Sequence, residues 1–151
     1  MLTFGRLYGK LMGQRSSAAA IAGQVGQYLK HERALGDALS IATVTNVDVC
    51  TVTLTPGVWL AEASIWFQPN SVSSFTNKQA GISSVAGSMD TGVNGGGYLL
   101  SLDNFGAQCS FYVGRREFSV DVNTPIYLTA RSNFSGGTMT VAGFLGALRI
   151  R

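Results

Sequence analysis

His31 is the only histidine of the chain and stands between Lys30 and Glu32. Acyl-transfer chemistry needs such a base beside a serine or cysteine nucleophile, and the sequence marks none. A solvated or interface histidine is the expectation. Asp90-Thr91-Gly92 spells the tripeptide of aspartic proteases, but that chemistry needs two such aspartates sharing one proton. Here the tripeptide lies between Ser88-Met89 and a run of glycines, which reads as a surface turn. Gly92-Val-Asn-Gly-Gly-Gly97 lacks the Gly-Lys-Ser/Thr of a phosphate loop and reads as a turn or a place of close backbone approach. The eight carboxylates are spread singly, with no recurring pair that would suggest glycosidase work. Asn133-Phe134-Ser135 fits a glycosylation acceptor, which has meaning only in an exported chain. Cys50 and Cys109 each sit in an apparent strand without a neighbouring His or Cys, so metal ligation is not expected. Two buried free thiols are the expectation; a disulfide between neighbouring strands stays open. No catalytic residue, cofactor or metal site is expected, and the chain does not read as an enzyme.

The remaining chemistry is that of contacts. Arg115-Arg116, followed by Glu117, reads as a solvated turn between two strands or as a charged contact to a neighbouring subunit. Arg149 and Arg151 alternate with Ile150. With Ile150 inward, both arginines face one way, toward solvent or a partner. Arginine suits interfaces because its planar fork makes several hydrogen bonds while its stem packs. Trp66 falls on the opposite side of its strand from the expected core and needs cover from another chain or a loop of its own. Arg6, Tyr8, Lys10 and Arg15 near the N-terminus complete the candidate subunit or particle contacts.

Few charges surround these residues. Charged side chains make up 13% of the 151 residues, against about 25% in ordinary soluble domains. Hydrophobic residues make up 46% and mean hydropathy is +0.21. Subunit contacts account for this best, since interface cores are poor in charge. No apolar run approaches the roughly 20 residues that span a bilayer, so no membrane partner is expected. The net charge of +3 is mild, and no nucleic-acid partner is expected without a dense basic face. Gly13, Gln14, Arg15, Ser16 and Ser17 interrupt any secretory h-region, and export by that route is not expected.

The elements that must position the contacts divide near residue 35. Residues 1–35 read as an arm, mostly extended. It carries five basic residues by position 33 (Arg6, Lys10, Arg15, Lys30, Arg33) against Glu32. Ser16 or Ser17 could cap one short helix over residues 18–22, ended by Gly23. Residues 36–151 read as strand after strand: 39–44, 47–54, 58–67, 78–84, 98–102, 107–113, 117–122, 126–134 and 138–150. In the strongest, Trp59, Ala61, Ala63, Ile65 and Phe67 share one uniformly apolar face. Val58, Leu60, Glu62, Ser64 and Trp66 share the other. Short turns without helices predict an all-β antiparallel sandwich of about eight strands. A last strand that reaches residue 151 is expected inside a sheet or at a subunit contact.

Leu54-Thr-Pro-Gly-Val-Trp-Leu-Ala-Glu-Ala-Ser-Ile-Trp-Phe67, then Ile126-Tyr-Leu-Thr-Ala-Arg-Ser-Asn-Phe-Ser-Gly-Gly-Thr138 and the closing Ala147-Leu-Arg-Ile-Arg151, resemble small structural proteins of tailed bacteriophages. Over residues 38–151 the resemblance implies a jelly roll of the tumour-necrosis-factor and C1q type. It also implies a homo-oligomer, a trimer, that binds other virion proteins such as the major capsid protein. The chain has no collagen-like or heptad shaft. That favours a capsid decoration or cement protein, assembled in the host cytoplasm and anchored by its arm. The alternative is a receptor-binding or tail-fibre tip domain that recognises a host surface glycan through loops such as 71–77 or 90–97.

Overall fold

The computed structural model describes residues 23–89, 97–100 and 108–151. Arg6, Tyr8, Lys10, Arg15, the helix expected over 18–22 and the Asp90-Thr91-Gly92 tripeptide lie outside the described residues.

Among the described residues, nine strands form two antiparallel sheets. In the first, β1 (Tyr28–Arg33) and β2 (Leu39–Ile41) both pair with β9 (Thr138–Arg149). There β9 also pairs with β4 (Gly57–Asn70), and β4 with β7 (Cys109–Val120). In the second the order is β3 (Val47–Leu54), β8 (Thr124–Ser135), β5 (Ser74–Ser83) and β6 (Gly97–Leu100). The pairs β2·β9, β3·β8, β4·β7 and β5·β6 are nested in the sequence. These four nested pairs make one long hairpin rolled up from its tip, a jelly-roll arrangement of the antiparallel sandwich that the strand pattern predicts. The last strand, β9, lies inside its sheet, held on both sides.

Strand alternation explains the core. Trp59, Ala61, Ala63, Ile65 and Phe67 of β4 are all buried, as are Ile126, Leu128 and Ala130 of the facing sheet. Each large apolar side chain so enclosed contributes roughly 1.5–3 kcal/mol. A bulge between Asp48 and Cys50 turns both Val49 and Cys50 inward.

Two elements differ from the sequence reading. Tyr28–Arg33, within the segment read as an arm, is a strand in register with Gly143–Leu148 of β9. Its alternation is present, with Tyr28, Lys30 and Glu32 exposed and Leu29, His31 and Arg33 half-buried. The inward set is too polar to show as a hydrophobic period. The strands expected over 107–113 and 117–122 are one strand, β7. Gly114, at φ +108°, takes up a bulge opposite Ala63 and Ser64, so the chain continues through Arg115-Arg116 without turning.

Candidate functional site

The outer face of the β1-β9-β4-β7 sheet carries the contact chemistry. Cross-strand register lays it out in rows. Tyr28, Leu148, Leu60 and Glu117 form one; Lys30, Gly146, Glu62 and Arg115 the next. Glu32, Phe144, Ser64 and Tyr112 follow, then Ala142, Trp66 and Ser110. Gly146 leaves room for Tyr28, whose ring lies over it against Phe144; a Cβ there would be 2.9 Å from Tyr28 Cζ and 3.0 Å from Phe144 Cζ. Desolvation first, and then the Glu62 carboxylate, push the Tyr28 phenol above its usual range.

The lower rows form a shallow groove of about 660 Å³. Trp66 and Tyr112 wall one side, Phe144 lies in the middle, and Glu32 with Ala34 and Leu35, at the start of a short 3-10 turn over Leu35–Asp37, forms the far lip. Trp66 is 37% exposed and Tyr112 53%. Trp66 thus stands where the sequence places it, on the outer face, and no loop among the described residues buries it. A half-open tryptophan beside an open tyrosine is the make-up of a contact surface, since both rings combine a large apolar body with one polar atom.

The arginine candidates separate. Arg115 is on the outer face, and its Nε donates to Glu62 Oε2 at 3.3 Å. The Tyr112 phenol, and after it Glu62, hold its guanidinium further into the charged form. Arg116, one residue on, points inward. Its Nη1 donates to the Ile82 carbonyl of the other sheet at 2.8 Å, and its guanidinium lies 4.8 Å from the Phe118 ring centre. This pair is a strand segment reaching both ways and not a solvated turn. Arg149 also turns inward, 5.8 Å from the Trp59 ring, with Nη1 donating to Thr55 Oγ1 at 3.3 Å. Arg151 instead reaches the outer-face Glu117 at 3.9 Å, in the open. Arg149 and Arg151 therefore do not share one direction, and Arg149 serves the fold.

His31 is half-buried, and among the described residues its ring meets backbone. Its Nδ1 accepts the backbone N–H of Thr51 at 3.0 Å, and Arg33 Nε donates to the Val49 carbonyl at 2.9 Å. These side chains of β1 cover the open edge of β3 and tie the two sheets together. Sequence reasoning missed this because the partners are backbone atoms 16 and 20 residues away. Cys50 and Cys109 are both free, Cys50 buried and Cys109 half-buried. Among the described residues no group of three His, Cys, Asp or Glu side chains is placed to hold a metal ion. Of the loop 71–77, Ser74–Asn77 belongs to β5.

No family model matches the chain, and no curated protein does. Solved structures do. The infectious bursal disease virus VP2 subviral particle is 10% identical over 91% of this chain and 36% of its own, with a TM-score of 0.52. The T=1 particles derived from the same virus give 10% identity, 91% and 35% coverage, and a TM-score of 0.52. The chain spans about a third of the length of those chains. The likeness is one of fold, the two-sheet β-sandwich.

Proposed function

We propose that this chain is a virion structural protein. It is a jelly-roll subunit present in many copies, a homo-oligomer and specifically a trimer, that works by surface contact and without catalysis. The observation that carries this is the outer sheet face, where Trp66, Phe144 and Tyr112 make an open aromatic groove on a domain poor in charge. The shared fold with VP2, whose structures are described as subviral and T=1 particles, supports it. Within that class the reading is a tailed-phage head decoration or cement protein. It joins other virion proteins such as the major capsid protein, after assembly in the host cytoplasm, through its N-terminal segment.

Purified particles test this. Mass spectrometry should find the chain at a fixed ratio to the major shell protein, and cryo-EM should show its sandwich on the shell. Its absence from purified particles would overturn the reading. The Trp66–Tyr112 pair also favours a second reading, a fibre-tip domain that stacks a host glycan on its aromatic rings. Density at the tail tip would support that one.

A further inference from the structure

We propose that the aromatic groove on the outer face of the β1-β9-β4-β7 sheet is the docking site of residues 1–22 of this chain. This deepens the structural reading above by naming what the face holds.

The face lacks a cover of its own. Trp66, Tyr112, Tyr28 and Leu148 are exposed there, and Phe144 and Leu60 half-exposed, in adjacent rows of four strands. A tryptophan and its apolar neighbours in one patch mark a surface that is covered in use. Residues 1–22 have matching chemistry. They contain Arg6, Lys10 and Arg15 and no carboxylate. They also repeat a large apolar residue, a glycine and a polar or basic residue every four positions: Phe4-Gly5-Arg6, Tyr8-Gly9-Lys10, Met12-Gly13-Gln14. In an extended chain, positions four apart lie on one side, about 13 Å apart, so Phe4, Tyr8 and Met12 align with Arg6 and Lys10 between them.

Charge agrees. Glu32 lies on the groove lip and makes no ion pair among the described residues. Glu62 and Glu117 follow along the same face, already held by Arg115 and Arg151, and Lys30 is its third cation, so Glu32 is the carboxylate left for an incoming base. Reach agrees as well. The described chain starts at Gly23, beside Arg149 at the end of β9, where the Gly26 N–H bonds the Arg149 carbonyl. Phe144 is five residues back along β9, roughly 17 Å away. Twenty-two extended residues span on the order of 70 Å, enough to lie along the groove of the same copy or of an adjoining one.

The test uses the full chain and its two tryptophans. Trp59 is fully buried, so acrylamide quenching reports Trp66. In the unaltered chain little of the emission should be quenchable. In the variant Phe4→Asp/Tyr8→Asp/Met12→Asp, which alters none of the described residues, about half should become quenchable, since one tryptophan of two opens. A Trp66→Phe chain assigns the change to Trp66. Shielding that fades on dilution identifies a neighbouring copy as the donor, and shielding that persists identifies the same copy; both support the proposal. Equal quenching of the unaltered and triple-Asp chains, whether high or low, overturns it. The result is independent of the particle assay. A shielded Trp66 in a chain absent from particles would retire the virion reading alone, and an open Trp66 in a chain present on particles would retire this one alone.

Discussion

Thr51 of β3 donates its backbone N–H to Nδ1 of His31 on β1, at 3.0 Å. The two strands belong to different sheets, and each is the edge of its own. An edge strand presents unpaired backbone groups that invite wrong pairing. Here His31 and Arg33 satisfy those groups at Thr51 and Val49, so side chains close the side of the sandwich where no backbone ladder exists.

Replacing His31 tests that closure. His31→Ala leaves the Thr51 N–H without its partner at a half-buried site. The expected cost is about 1–3 kcal/mol. Urea unfolding should show a lower midpoint at an unchanged slope.

The two tryptophans should behave oppositely. Trp59→Ala empties the centre of the core and should cost about 3–5 kcal/mol, enough to unfold much of the chain. Trp66→Ala, on the outer face, should change stability by no more than about 1 kcal/mol. It should nonetheless weaken oligomerisation or particle attachment, read by sedimentation and by particle pull-down.

Cys50 gives a pH dependence. Burial raises its thiol pKa above the ordinary value of 9.0, with the nearby Arg33 opposing. The folded chain then holds the thiol proton more tightly than the unfolded chain. The stability this represents is whole below the ordinary thiol pKa and is lost as pH rises through the folded one. Thermal unfolding of the native chain should fall more steeply in alkali than that of Cys50→Ala. At neutral pH a thiol reagent should modify Cys109 well before Cys50.

The β8–β9 turn should tolerate no side chain at Gly137. Its φ is +63°, and a Cβ would run into the Asn70 carbonyl and the backbone of Ser71. Gly137→Ala should cost more than about 1 kcal/mol. Gly36→Ala, where nothing lies within 4 Å, is the neutral control for the same thermal melt.

Truncation separates arm from strand. Removing residues 1–22 leaves β1 whole and should give a folded sandwich that no longer attaches to particles. Removing residues 1–30 also takes half of β1 from β9 and should lower the melting temperature as well.

The sheet architecture was legible because β4 and β8 alternate large apolar residues with period two, and that period sets which face is buried. Trp66 was legible for the same reason, as an aromatic out of phase with its core. Arg115-Arg116 was not, since two adjacent charges look like a turn unless a bulge at Gly114 is known. Nor was β1, whose inward residues are a histidine and an arginine that hydrogen-bond to backbone.

Local pattern, then, settled the class of fold, the core face of each long strand and the scarcity of charge, because these depend on side-chain order along one strand. Pairing of distant strands settled the rest: which edge His31 covers, which way Arg149 turns, and that Trp66, Phe144 and Tyr112 meet in one groove. The last two join residues from the two arms of the rolled hairpin, and the first crosses between the sheets. Their proximity comes from register between strands, which no single stretch of sequence encodes.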